Sequence, residues 1–383
     1  MSEAVRDGPI AKIGFRGRSL RKSETLDQVI RGRASHTTGF DYLRVGLALA
    51  VLFVHVVYVT SVSNWQLLWT HWCGPFERSL LPMFFSLSGF LVAGSLLRNN
   101  VPKFIALRMI RIIPALAVEI FLSAFVIGLA FTKLSWLNYL SSGEFYTYFL
   151  NILGIVHYTL PGVFEGRYLN EQLWTMPFEF ECYLSLAALT LIGIVRRRDI
   201  FVLVLASVAV AYTIVAVSND LGREGPCVPG HVFILSFLFG VAIYFYKAQI
   251  PHSRLIFAMS LVVGYVCLYI PDLVYVSAIP ISYLTIYIGL LRPPRIKFGD
   301  LSYGIYLFHY PIARCAHELS GRSLPAEVLL PLTIAATTMF AALSWKFVEK
   351  PALDRKADVL AFVDRVSKWS VRRMPRRAAS GSS

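Results

Sequence analysis

Apolar runs close to twenty residues long recur between residues 41 and 348, and nothing else in the sequence constrains the fold as strongly. A helix needs about 20 such residues to cross a bilayer, because lipid offers no partner for an open backbone. Ten segments meet or approach that length: roughly 41–62, 76–97, 112–131, 172–195, 199–217, 231–247, 254–270, 273–291, 300–318 and 327–348. Only 16% of the residues are charged, whereas a water-facing surface takes about a quarter. The pattern predicts an all-α polytopic membrane protein with about ten transmembrane helices. It excludes a soluble enzyme, a coiled coil, a disordered chain and a nucleic-acid-binding domain.

Charge supplies an independent test. The net charge of +14 sits mainly in the tails: residues 1–40 hold eight Lys/Arg against four acids, and 350–383 hold nine against three. Basic ends flanking an apolar body are expected on the cytoplasmic side, against anionic lipid headgroups. No aromatic-interleaved basic patch accompanies them, so no nucleic-acid partner is expected. The even-numbered connections between apolar runs carry twelve Lys/Arg and the odd-numbered ones six. Ten spans with both termini cytoplasmic agree with that bias. The chain then divides into a basic tail over 1–39, a transmembrane domain over 40–350 and a second basic tail over 351–383. Residues 1–39 lack an apolar core of signal-peptide type, so the first span is expected to direct targeting. The connection 132–171, with its aromatic stretch 145–149, reads as interfacial or re-entrant.

The five cysteines, Cys73, Cys182, Cys227, Cys267 and Cys315, show no CxxC spacing and no histidine at ligand distance. No metal site is expected. Cys73 and Cys227 share the external side and could form a disulfide there.

Ionisable groups at bilayer depth are functional candidates. The first span holds Asp41, Arg44 and His55. Arg44 and His55 lie on one stripe, three turns and about 16 Å apart along the axis. Separately, Arg44 could be a snorkelling anchor paired with Asp41, and His55 an interhelical hydrogen-bonding group. Together they describe a path from an anionic ligand to a proton-transfer group. Arg108 and Arg111, three residues apart ahead of Pro114, could clamp a phosphate or serve only to orient the loop. Glu179 follows a proline in the fourth span, where it could be a base, a hydroxyl ligand or a structural partner of an arginine. The remaining candidates are Ser88 in FFSLSGF, which also reads as helix packing, Trp174, Tyr303, His309 ahead of Pro311, and Glu349, which reads first as half of a structural ion pair.

These patterns, in this order, resemble the acyltransferase-3 family of bacterial integral-membrane acyltransferases. The likeness is carried by Asp41/Arg44 with His55, FFSLSGFL, FIALRMIRIIP, LWTMPFEFECY, FGDLSYGIYLFHYP and the final FVEKP, over about residues 39–352. The resemblance implies ten core spans in a bacterial inner membrane. It also implies transfer of an acetyl or other short acyl group from acyl-CoA to a sugar hydroxyl of a cell-envelope or secreted glycan or glycolipid. Some members carry a fused periplasmic hydrolase-like domain, for which this sequence has no room, so a single-component enzyme or one with a separate partner is implied. The expected roles are His55, Glu179 and Asp41 in catalysis and Arg44, Arg108 and Arg111 on acyl-CoA. Acyl-CoA is the only co-substrate expected, with no bound cofactor. The donor is expected from inside and the acceptor from outside, near Glu179 and the 145–149 segment. A proton-coupled transporter or flippase is the competing class, but inverted repeats and paired broken helices are not found.

Overall fold

An apolar run of about 20 residues satisfies its backbone in lipid as a helix, and the computed structural model consists of helices and their connections. It describes residues 24–32, 38–219, 228–294 and 299–373. The principal helices are α1 (Thr38–Thr60), α2 (Gly74–Arg98), α3 (Val101–Leu122), α4 (Met176–Leu191), α5 (Arg198–Asn219) and α6 (Gly230–Tyr246). They are followed by α7 (Arg254–Tyr269), α8 (Ala278–Gly289), α9 (Ser302–Leu319), α10 (Ala326–Ser344) and α11 (Lys356–Arg373). No strand occurs among the described residues, where pairing is confined to two isolated bridges.

Among the described residues, five helical stretches are long and apolar enough to cross a membrane: Thr38–Thr60, Gly74–Arg98, Val101–Phe131, Arg198–Ser218 and Ala326–Asp354. Helices α6, α7 and α8 are shorter but apolar. The third stretch corrects the sequence reading. The span expected over about 112–131 starts earlier: the helix begins at Val101, capped by Asn100, and runs through Pro114. A proline in a membrane helix is tolerated where neighbours re-satisfy the freed backbone. Arg108 and Arg111 are therefore helical residues. Beyond Leu122 the chain passes through a π-turn, Ser123–Ile127, before ending at Phe131.

Close packing relies on small residues, as expected where helices meet in lipid. A Cβ on Gly89 of α2 would lie 1.9 Å from the Phe237 carbonyl oxygen of α6, and one on Gly240 would lie 2.1 Å from that of Ser86. The glycine of FFSLSGF is thus a backbone crossing point. Its neighbour Ser88 has another role, described below.

The helix connections sort into two groups. Backbone amides of Leu26 and Asp27 donate to Ile250 and Lys247 carbonyls, Thr38 donates to the Pro293 carbonyl, and Arg198 to that of Phe245. Lys103 pairs with Asp364 of α11. At the other end, Arg78 donates to the Leu268 carbonyl and Tyr265 to that of Trp72. There Glu165 meets Lys133, Arg167 and Arg322, and Glu318 meets Arg167 and Arg322. Hydrogen bonds from Lys133, Arg322 and Arg167 pull the exposed Glu165 carboxyl down to about 2.

The connection 132–171 folds as two short helices, Trp136–Ser141 and Gly143–Tyr148, and a turn of 3-10 helix. Its Tyr139, Phe145 and Tyr148 are buried, and Tyr139 donates to the Ala124 carbonyl in the π-turn of α3. Asn170 reaches Ser123, which in turn donates to the fully buried Glu119. The aromatic stretch thus docks this connection onto α3. Cys227 lies outside the described residues, so the expected Cys73–Cys227 pairing does too; Cys73 forms no disulfide with any described residue.

Candidate functional site

The stripe on α1 sets the site. Arg44 Nη1 donates to Asp300 Oδ2 at 2.7 Å, and His55 Nδ1 lies 2.7 Å from His309 Nε2. Positions 44 and 55 therefore face the same segment, 300–309. Both pairs ascend in number together, so α1 and α9 run parallel. The spacing read from the sequence correctly puts the two side chains on one face.

Asp300 was not singled out from the sequence, yet it organises the arginines. Its Oδ2 also accepts from Arg111 Nη2 at 2.6 Å, and Ser302 Oγ donates to Oδ1 at 2.5 Å. Arg111 Nη1 reaches Glu349 Oε2 at 3.2 Å, and Glu349 accepts from Ser344 through its other oxygen at 3.1 Å. Arg111 also packs against the rings of Tyr303 and Trp345. Arg44 thus pairs with Asp300. Asp41 is exposed at the start of α1 and lines neither cavity described below. Glu349 occupies the ion-pair role read from its position.

Arg108 differs. Its Nε is buried and has no hydrogen-bond partner among the described residues. Its guanidinium lines a cavity of about 360 Å³ together with Arg44, Arg111, Ser88, Glu179, Tyr183, Tyr303 and Lys356. Here a second expectation is corrected. Glu179 was placed with the external acceptor, but it faces the arginine cavity. The α4 helix starts at Met176 and turns Glu179 inward, where its Oε1 accepts from Tyr183, one turn on, at 2.8 Å. Because that proton is committed, the 3.4 Å contact between Ser88 Oγ and Tyr183 Oη has Ser88 as donor. The 145–149 segment lines neither cavity.

A second cavity, of about 100 Å³, is lined by His55, Tyr58, Trp65, Trp69, Glu77, Arg78, Glu171 and Trp174. Leu81 and Tyr306 line both cavities and form the partition between them. Trp174 stands on the smaller-cavity side, edge-on to Phe233. Tyr303 stands on the larger-cavity side and anchors α9 to α3 by donating to the Ile112 carbonyl at 3.0 Å. Glu77, Glu171 and Tyr306 were missed in the sequence. Glu77 is three residues into an apolar helix, and only its charge within that run could have flagged it.

The histidine pair has a defined proton arrangement. His309 Nδ1 lies 3.1 Å from the Ile305 carbonyl and 2.8 Å from that of Tyr306. A carbonyl only accepts, so His309 Nδ1 carries the proton and its Nε2 holds a lone pair. That lone pair accepts from His55 Nδ1. The His55 proton is then fixed on Nδ1, and Nε2 keeps its lone pair, on a ring that walls the smaller cavity. An imidazole held in one tautomer by a second group is a general base ready for use.

The profile of the acyltransferase domain family matches residues 37–348. The chain belongs to the acyltransferase-3 family. Two relatives agree with that membership. An O-acetyl transferase of Shigella phage Sf6 is 27% identical over 301 residues, covering 73% of this chain and 86% of that protein. Nodulation protein 10 of Rhizobium leguminosarum bv. viciae is 27% identical over 369 residues, covering 86% of this chain and 96% of that protein. No solved structure matches.

Proposed function

We propose that this acyltransferase moves an acetyl or other short acyl group from acyl-CoA to a sugar hydroxyl of a cell-envelope or secreted glycan, within the bacterial inner membrane. The observation that carries the reading is His55, held in its base tautomer on a wall of one cavity while the arginines line the other. The partition of helix connections into two ends supports ten spans with both termini on the cytoplasmic side, as does the parallel run of α1 and α9. Residues 40–350 then form the catalytic membrane domain between basic cytoplasmic tails over 1–39 and 351–383, the second of which brings Lys356 to the arginine cavity and Asp364 to Lys103.

Coenzyme A carries several phosphates and needs cations on its side of the site. Arg44 and Arg111 already share Asp300, so Arg108 is the guanidinium left to meet phosphate, with Lys356 beside it in the same cavity. The pantetheine arm would extend along the Arg44–His55 ridge and present the thioester at the Leu81/Tyr306 partition. His55 Nε2 then takes the proton of the acceptor hydroxyl as its oxygen attacks the thioester carbonyl. The tetrahedral intermediate collapses with cleavage of the carbon–sulfur bond, and the imidazolium returns its proton to the departing thiolate. His55 ends neutral, and the products are the acyl ester and free coenzyme A. Glu179, through Tyr183 and Ser88, would position the donor in the larger cavity.

The test is incubation of membranes containing the protein with radiolabelled acetyl-CoA and a bacterial glycan extract. Label in the glycan fraction is expected. Glycan crossing the membrane without label would instead support a transporter.

A further inference from the structure

The smaller cavity has a lining that the donor does not explain. Its walls are the indoles of Trp65, Trp69 and Trp174 with the ring of Tyr58. Two of the residues lining this cavity carry a buried polar atom with no hydrogen-bond partner among the described residues: Trp69 through Nε1, a donor, and Glu77 through the carboxyl oxygen Oε2. Buried polar groups are nearly always satisfied, so an orphaned donor and acceptor in one cavity point to a ligand that supplies both. A hydroxyl does this, since it donates and accepts at once. Flat aromatic walls with a few placed polar atoms suit a ring with an apolar face and hydroxyl edges.

Among the described residues of the lining, the one Lys/Arg side chain is held by neighbouring carbonyls. Arg78 donates to the carbonyls of Leu268 at 2.7 Å and Trp69 at 3.3 Å, and its guanidinium stacks 4.8 Å over the Trp69 ring. Glu171 accepts from Tyr310 at 2.6 Å. Among the described lining residues the cavity thus sets two carboxyl groups, Glu77 and Glu171, against one guanidinium, a balance that does not favour an acidic sugar.

We propose that this cavity is the acceptor subsite, that it takes a neutral saccharide, and that Glu77 and Trp69 hold one of its hydroxyls. The proposal deepens the acyl-transfer reading and rests on it only for the step after binding. Glu77 accepts from the hydroxyl and Trp69 Nε1 donates to it, next to His55.

The test uses full-length protein in nanodiscs and tryptophan fluorescence titrated with maltotetraose, cellotetraose, chitotetraose, tetragalacturonate and the fully deacetylated amine form of chitotetraose. At least one neutral tetramer is expected to quench saturably and to bind more tightly than the acidic and amine tetramers. Glu77→Ala is expected to weaken that binding at least tenfold. Glu77→Gln, which still accepts through its amide oxygen, should stay within about threefold, and acetyl-CoA binding by equilibrium dialysis should be unchanged in both. Trp69→Phe keeps the ring and loses the N–H; its expected loss is about threefold or more, which covers the case of a Glu77 variant that does not fold. No quenching by any neutral tetramer, tighter binding of the acidic or amine tetramer, or unchanged affinity in both Glu77→Ala and Trp69→Phe would overturn the proposal. Glu77-dependent saccharide binding without label transfer from acetyl-CoA would leave the subsite standing and sink the acyl-transfer reading. Label transfer with acceptor affinity independent of both residues would do the reverse.

Discussion

Truncating His309 to alanine removes the acceptor that fixes the His55 proton on Nδ1. The 2.7 Å contact from His55 Nδ1 is lost, and the imidazole is free to move its proton to Nε2, which cannot then act as a base. Losing a net hydrogen bond and leaving a mostly buried donor unsatisfied amounts to about 1–3 kcal/mol. At about 1.36 kcal/mol per decade, kcat should fall roughly 5- to 150-fold. The donor cavity does not include His309, so the acetyl-CoA dissociation constant should be unchanged. His309→Gln separates orientation from chemistry. Its amide oxygen lies near where Nε2 stood and still accepts from His55, yet it cannot take up a proton at neutral pH. Initial rates of acetyl transfer, measured with calorimetric acetyl-CoA binding and thermal unfolding, should therefore rank wild type close to His309→Gln and well above His309→Ala. Equal inactivity of both variants, with native unfolding temperature and donor affinity, would mean that His309 itself transfers a proton. A fully active His309→Ala would remove the tautomer argument.

Arg108→Ala should raise the KM for acetyl-CoA roughly 10- to 150-fold, the equivalent of about 1.5–3 kcal/mol for a charge-assisted hydrogen bond, with the acceptor KM unchanged; equal loss for both substrates would assign Arg108 to folding. Asp300→Ala leaves Arg44 and Arg111 without their shared carboxylate. A fully buried pair would lose ~3–5 kcal/mol, but side-chain exposures of 30% and 22% reduce the expected loss to about 2 kcal/mol, read as a lower unfolding temperature. The Glu165 carboxyl is held at about 2 in the folded protein and returns to about 4.3 when unfolded. Its contribution is fully present above the higher value and disappears as pH falls through the lower one. Hydrogen exchange of residues 163–167 and 318–322 should accelerate between those limits in the wild type, and Glu165→Gln should abolish the pH dependence.

The helices were legible in the sequence because lipid enforces one rule, that an apolar run long enough to span becomes a helix, and because the charge bias sorts the junctions. The start of α3 lies ahead of the expected residue 112 because the charges of Lys103, Arg108 and Arg111 read as a connection, although the spacing of Arg108 and Arg111 already puts them on one helical face. Their side chains are accommodated by a cavity that only the assembled bundle creates. The Arg44–His55 stripe was readable from helical period alone. Its partners were not, since Asp300 and His309 stand 256 and 254 positions away and no local pattern couples them. That Glu179 lines the same cavity as Arg44, Arg108 and Arg111 is hidden for the same reason. Periodicity gives its face on α4, but which neighbours that face meets depends on how α4 packs. The orphaned atoms of Glu77 and Trp69 are visible only when burial and hydrogen bonding are counted together.

The central claim is that His55 Nε2 is the base of acyl transfer. It is tested most directly by acetyl transfer from radiolabelled acetyl-CoA to glycan by purified His55→Ala protein whose unfolding temperature and acetyl-CoA affinity match the wild type. The account predicts a loss of at least a hundredfold in kcat, within the range of general-base catalysis. Wild-type turnover by that variant would contradict it.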